Sequence, residues 1–283
     1  MKINQRHIKQ NYLNIAGESV SVSIHDLPRI VIFGGTTEGR LLAEWCSARK
    51  IPALYCVATE LGVLSVPDIS MQIGRLGYED MAALLCREKA DLVIDATHPY
   101  AAEASANIKR AAAEVGVKRL RISRPPGDIS ACRCFTGEDE LIKWLSETDR
   151  KSDRAIFVTT GLKEVQLFTH VQEFERRVFL RLLPSLEGLK TCLDLGFPPA
   201  HIIMMYGPFS RDLNRAMFQS CNARILVTKD SGGPGGFMEK VDAAKDLGME
   251  IALMARPCES GEDIFSLEQG IEVLNELMRG YAK

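Results

Sequence analysis

The sequence lacks any apolar run of the roughly 18 residues that a membrane span needs, so no membrane partner is expected. It also lacks an excess of one charge: 35 Lys and Arg stand against 37 Asp and Glu, for a formal net charge of -2. That balance removes the basic field that would advertise nucleic acid, and any anionic ligand must be held by local Lys and Arg clusters. Eight Cys are present, but no CxxC pair. They are scattered, mostly in apolar runs, and Cys132 and Cys134 are the only close pair. This pattern implies no metal site and fits free thiols in a reducing cytosol, so the chain is expected to be cytoplasmic. The Gly-rich stretches match neither GxGxxG nor GxxxxGK[ST], which excludes a P-loop NTPase. No compact acid/base dyad stands out. Residues 1–28 are polar and mixed, without the apolar centre of a secretory signal, and are expected to be an N-terminal extension.

What is present is a regular alternation. The 283 residues, 46% hydrophobic and 25% charged, suffice for one or two globular domains. Short apolar runs at 29–33, 53–58, 70–73, 91–96 and 119–122 read as strands. Helical patterns at 40–49, 78–89 and 100–115 fall between them. Strand–helix alternation at this pitch predicts a parallel sheet covered on both faces. Arg124-Pro125-Pro126-Gly127-Asp128 then interrupts, since Pro cannot join a central ladder and disfavours helix before it. The pattern restarts with strands at 155–159, 178–182, 201–205, 224–228 and, last, 250–254. Helices are expected at 141–145, 161–168, 186–195, 211–220, 235–247 and 265–281. The fold class is therefore α/β: two Rossmann-like or flavodoxin-like parallel-sheet domains, residues 29–127 and 128–283, with a cleft between them and the C-terminal helix in the second. "VIFGGTTEG" and "IFVTTGLKE" both place Thr and Gly where a strand meets a helix, too short a match to claim a repeat.

In open α/β sheets ligands bind beyond the carboxyl ends of the strands, so the turns there are informative. After the first strand come Gly34, Gly35, Thr36, Thr37 and Glu38. Glycines let a phosphate approach the backbone, and the helix start adds unpaired N–H groups and a positive dipole end. Glu38 is placed to cap the helix or to bind a sugar hydroxyl. Ala58 and Thr59 end the second strand, where an adenosine ribose would lie. Glu60 favours a free 2′-hydroxyl and Arg75 a 2′-phosphate, so NADH and NADPH both stay open. "DATHPYAAEAS" places Asp95 at a strand tip and His98 at a helix start, where an imidazole can hydrogen-bond a ligand or move a proton. The second half offers Thr160, Lys163, Arg181 and Tyr206 near strand ends. It also has a Gly-rich loop, "LVTKDSGGPGGFMEK", flanked by Lys229 and Lys240 and suited to a large anion. Lys240 could instead lie on an outer helix face.

Together "IVIFGGTTEGRLLA", "DLVIDATHPYAAEAS", "VTTGLKEV", "YGPFS" and "VTKDSGGPGGFMEKVDAA" closely resemble the precorrin-6A reductase family of corrin-ring biosynthesis, across about residues 29 to 257. The resemblance implies a hydride transfer from a nicotinamide dinucleotide to a ring double bond of a polycarboxylate tetrapyrrole, with no flavin or metal. It implies a dinucleotide loop at Gly34–Glu38, with Ala58 and Thr59 at the second strand end. Cleft residues follow at Thr97, His98, Tyr100, Thr160, Lys229 and Ser231. His98, Tyr100 and Lys229 are the catalytic candidates. Gly34, Gly35, Thr36, Thr37, Glu38, Ala58, Thr59, Arg75, Thr97 and Thr160 are the cofactor candidates, and Lys163, Arg181, Tyr206, Ser231 and Lys240 those for the substrate. A monomer or weak homodimer is expected. Two rival readings are a corrinoid-pathway transferase on a similar scaffold, which has no use for a pyrophosphate turn, and a non-catalytic NAD(P)-binding regulator, which has no use for the lysine-flanked loop.

Overall fold

The computed structural model describes residues 9–13, 19–23, 27–60, 66–124, 127–147, 154–230, 232, 236–256 and 264–281. The chain divides into two compact units, with breaks after Arg124 and after Arg256. Ahead of the first unit's sheet, β1 (Lys9–Leu13) and β2 (Ser19–Ser23) form an antiparallel pair with Lys9 opposite Ser23. From its polar, mixed sequence alone this segment reads only as an extension.

The first unit contains β3 (Ile30–Phe33), α1 (Thr37–Ala48), β4 (Ala53–Val57), β5 (Ile69–Ile73), α2 (Tyr78–Glu88), β6 (Leu92–Asp95), α3 (Ala102–Glu114) and β7 (Lys118–Ile122). Every residue of β3, β4 and β6 is buried, as expected of strands covered on both faces. Ile30, Ile32, Leu42, Trp45, Tyr55 and Ile94 form one core and Val31, Phe33, Leu54, Leu84, Val93 and Ile108 the other.

The second unit contains β8 (Arg133–Phe135), α4 (Glu138–Glu147), β9 (Ala155–Val158), a 3₁₀ stretch (Leu162–His170), α5 (Phe174–Arg177), β10 (Val178–Leu182) and α6 (Leu186–Asp194). It continues with β11 (Ile202–Met204), α7 (Arg211–Ser220), β12 (Ala223–Lys229), α8 (Phe237–Asp246) and β13 (Glu250–Met254). Serines cap two of its helices: Ser185 Oγ accepts from the Gly188 amide and Ser210 Oγ from that of Leu213.

After the second break the chain adds β14 (Ile264–Phe265) and α9 (Leu267–Tyr281) to the first unit. The stripe of α9 behaves as its spacing predicts: Leu274 is fully buried, and Ile271, Leu277 and Met278 pack against the core that holds Ile30 and Ile94. Gly270 permits the close approach, because a Cβ there would sit 2.5 Å from Ile122 Cδ1. The order of elements along the sequence assigns this helix to the second domain, and the structure gives it to the first unit. Its apolar periodicity announces a buried face without saying which sheet it covers.

Both sheets are wholly parallel and share one arrangement. The first runs β5-β4-β3-β6-β7-β14 and the second β11-β10-β9-β12-β13-β8. Numbered along the chain within each unit, the first reads 3-2-1-4-5-6, the doubly wound order, and the second 4-3-2-5-6-1, the same arrangement with its first strand moved to the edge. In the second sheet the sixth place is taken by β8, which comes before β9 in the chain. In the first it is taken by β14, which comes after β13. Neither edge strand was anticipated, and Glu250–Met254 is not the last strand. β8 and β14 are three and two residues long, too short to produce a hydrophobic period.

Candidate functional site

The order reverses between β3 and β6 in the first unit, and that switch point is where a doubly wound sheet takes its ligand. The turn after β3 is built from beneath by Tyr55. Its ring lies where a Cβ on Gly34 would sit, and its hydroxyl accepts the Gly35 amide at 2.9 Å. Burial pushes the Tyr55 phenol upward against the Gly35 bond, so the hydroxyl keeps its proton. Gly35 has φ +97°, a left-handed conformation that favours glycine, and a Cβ there would meet nothing within 4 Å. Thr36 caps α1: its Oγ1 accepts from the Gly39 amide at 3.2 Å and donates to the Ala96 carbonyl at 2.8 Å. The amides of Thr36, Thr37 and Glu38 have no acceptor among the described residues. The turn therefore presents open space, a helix N-terminus and unsatisfied donors at one place.

Glu38 departs from its expected role. Its carboxylate is paired with Arg124 at 2.5 Å, both side chains about nine-tenths buried, so it ties the helix start to the segment after β7 rather than waiting for a sugar hydroxyl.

On the other side of the switch point, Asp95 ends β6 fully buried. It receives Arg119 Nη2 at 2.7 Å, Arg121 Nη1 at 2.9 Å, Ser105 Oγ at 2.5 Å and Thr97 Oγ1 at 2.7 Å. Burial alone would raise its pKa, but Arg121, Ser105, Arg119 and Thr97 together hold it below the usual carboxylate range. Arg121 also donates to the Thr97 carbonyl at 2.9 Å. This network fixes the backbone that carries His98. The His98 Nδ1 accepts the Tyr100 amide at 3.3 Å, which puts the proton of a neutral imidazole on Nε2. The two rings lie 5.7 Å apart. Thr97 is thus engaged within the loop, while His98 and Tyr100 are both partly exposed at the strand mouth.

Ala58, Thr59 and Glu60 are exposed just past β4, and Arg75 is exposed just past β5. The Gly74 amide bonds to the Val57 carbonyl at 2.9 Å, which brings the Arg75 segment against the end of β4. Arg75 has no ion pair among the described residues.

In the second unit the corresponding switch point lies between β9 and β12. Thr160 is buried, and its Oγ1 has no partner among the described residues. Gly161, at φ +100°, faces open space. Lys163 is exposed, and so is Tyr206, beyond β11. Lys229 is paired with Glu164 at 2.5 Å, both largely buried. Asp230 is fastened by Arg256 at 3.0 Å and by the amides of Gly127 and Gly232. Ser231 lies outside the described residues. Lys240 is not on an outer face but buried, as is Arg181. Tyr55, Arg119, Arg121, Arg124, Glu164 and Asn214 also build the two switch points, and none of them stands out as a site residue in the sequence. A phenol in the otherwise apolar "ALYCV" and two arginines alternating in "KRLRI" are the signals that could have found the first three.

A doubly wound sheet with a glycine–threonine turn and unsatisfied helix-start amides at its switch point, repeated in strand arrangement by a second unit, defines a Rossmann-type α/β protein. The chain belongs to the precorrin-6x reductase family (CbiJ/CobK), a family of oxidoreductases, whose model matches residues 29–276. It is 34% identical over 230 residues to the cobalt-precorrin-6A reductase of Salmonella typhimurium, covering 81% of this chain and 87% of that protein. It is 31% identical over 236 residues to the cobalt-precorrin-6A reductase of Priestia megaterium, covering 81% and 90%. A solved structure of a CobK precorrin-6A reductase superposes with a TM-score of 0.73 at 28% identity, covering 88% of this chain and 97% of that one.

Proposed function

We propose that this chain transfers a hydride from NADPH to a ring double bond of precorrin-6A or cobalt-precorrin-6A, giving the corresponding precorrin-6B in cobalamin biosynthesis. The observation that carries the reading is the turn at Gly34–Glu38, set at the switch point of a chain that belongs to a family of corrin-pathway reductases. Open space above Gly35 and the three helix-start amides fit a pyrophosphate. Arg75, exposed beside the end of β4, suits a 2′-phosphate, so the reading favours NADPH over NADH.

When bound, the nicotinamide supplies the hydride. The residues of the chain would position and neutralise. Ala58 and Thr59 border the ribose, and the Asp95 network holds Thr97 and His98 rigidly beside the turn. His98, protonated on Nε2, and Tyr100 can each hydrogen-bond the acceptor ring or pass it a proton. An acceptor conjugated to an iminium-like nitrogen already draws a hydride, so orientation supplies much of the acceleration. In the second unit Lys163, Tyr206 and Ser231, with Arg181 and Lys240, are assigned to the polycarboxylate substrate, Thr160 to the cofactor and Lys229 to catalysis. Lys229 would act with Glu164 as one unit.

Anaerobic incubation with precorrin-6A and, separately, with its cobalt form tests the reading. Nicotinamide absorbance should fall with one of them, faster with NADPH than with NADH. No oxidation with either tetrapyrrole would refute it.

A further inference from the structure

Asp230 is the residue of the "VTKDSGG" segment that the proposed reaction leaves without a part. It follows Lys229 at the end of β12 and is 2% exposed. Its carboxylate gathers separate stretches of the chain. Oδ1 accepts from the Gly232 amide at 3.0 Å and from Arg256 Nη2 at 3.0 Å, and Oδ2 accepts from the Gly127 amide at 3.2 Å. The Asp230 carbonyl accepts from Arg256 Nε at 3.1 Å, so the guanidinium grips backbone and side chain at once. A lysine has no such fork. Gly127 is needed for the approach: a Cβ there would sit 2.5 Å from Cδ1 of the fully buried Phe237 and 3.4 Å from Asp230 Oδ1. Gly127 stands just past the first break between the units and Arg256 just before the second. Both ends of the second unit's stretch of chain are therefore fastened to the residue beside Lys229.

The neighbouring lysine is held as closely. Lys229 Nζ meets Glu164 at 2.5 Å, with side chains 14% and 11% exposed. Its backbone lies in register with Met254 of β13, two residues before Arg256. Buried ion pairs are weak grounds for stability, since apolar residues of similar volume pack as well or better. Two consecutive residues at the end of β12 nevertheless each hold one, and what they provide is a fixed geometry. We propose that Asp230 is a positioning residue for the reduction: by clasping Gly127, Gly232 and Arg256 it holds the end of β12 so that Lys229 stands at one place against Glu164. The catalytic part of Lys229 rests on the reading above; the clasp rests on this geometry.

Labelling of Lys229 by an amine-reactive N-hydroxysuccinimide ester, read by peptide mass spectrometry, tests the clasp without turnover. Arg256→Lys keeps the charge but loses the fork, and Gly127→Ala drives a methyl group into Phe237 and draws the amide away from Asp230. Each should raise Lys229 labelling several-fold at a temperature where its melting curve shows it folded. The double variant should add little beyond either single one, because both act through Asp230. With turnover, each should lower kcat by roughly tenfold to a hundredfold, the scale of a displaced catalytic group, with tetrapyrrole KM and NADPH affinity near the wild-type values. Leu141→Ala, a core variant on α4, should lower the melting temperature and leave labelling and kcat unchanged. Wild-type labelling and kcat in both folded clasp variants, or equal changes in Leu141→Ala, would make Asp230 merely structural and overturn the proposal. Raised labelling with unchanged kcat would overturn its part in the reduction. Raised labelling in a protein that reduces neither tetrapyrrole would uphold the clasp and overturn the substrate.

Discussion

Replacing Asp95 with Asn removes a charge and nearly preserves a shape. The native carboxylate faces two guanidiniums and two hydroxyls, and Arg121 and Arg119 have side chains 2% and 11% exposed. Water cannot take over for them. Breaking a buried ion pair by removing one partner costs about 3–5 kcal/mol. Two pairs are lost here, but the Asn oxygen still accepts one bond, worth about 1 kcal/mol. Arg121 also keeps the carbonyls of residues 95 and 97. The net loss should therefore stay at about 3–5 kcal/mol, or roughly 6–20 °C of melting temperature for a unit of this size. The pH dependence has a definite sign. Asp95 titrates below its unfolded value, so its stabilisation is complete above about pH 4 and is lost as pH falls through the folded value. Calorimetry of both proteins from neutral to acid pH should show a gap that is flat at neutral and mildly acidic pH and closes only below the unfolded Asp value. A gap under about 1 kcal/mol at neutral pH, or one that closes near pH 6, would refute the charge network as the clamp on this loop.

Three further substitutions probe the same site. Tyr55→Phe leaves the Gly35 amide without its acceptor; it should cost about 1 kcal/mol and weaken NADPH binding several-fold in a fluorescence titration. No change in either would remove Tyr55 from the support of the turn. Arg124→Met strands the buried Glu38 carboxylate and should lower stability by about 3 kcal/mol, most of it recovered by adding Glu38→Gln. A double variant no more stable than the single one contradicts that pairing. His98→Ala should lower turnover or tetrapyrrole affinity with melting temperature nearly unchanged; wild-type kinetics would return His98 to a purely local role.

The repeated strand–helix alternation was legible because each central strand is an unbroken apolar run. Ile30–Phe33 and Ala155–Val158 are two such runs, buried at every residue. The two glycine–threonine turns were legible from the strand–turn–helix order itself. Pairings across the sequence were not. Glu38 and Arg124 are 86 residues apart, and nothing local to either announces the other. Asp95, Arg119 and Arg121 meet because β6 and β7 are neighbours in register, Asp95 opposite Arg121. The same limit explains the edge strands and α9. A two-residue strand has no period, and an apolar stripe specifies burial but not its partner. Lys240 shows the converse: its place after a glycine-rich loop leaves it either beside a large anion or on an outer helix face, and only the packing of α8 reveals it as buried.

The central claim is that the Gly34–Glu38 turn seats the pyrophosphate of a nicotinamide dinucleotide. Titration of NADPH into the wild type and into Gly35→Val, each verified as folded by its melting curve, tests it most directly. The account predicts saturable binding to the wild type and at least about a tenfold loss, or 1.4 kcal/mol, in the variant, whose side chain would project into the space the phosphates need. Equal affinity in the two proteins, or no binding to the wild type at saturating NADPH or NADH, would contradict it.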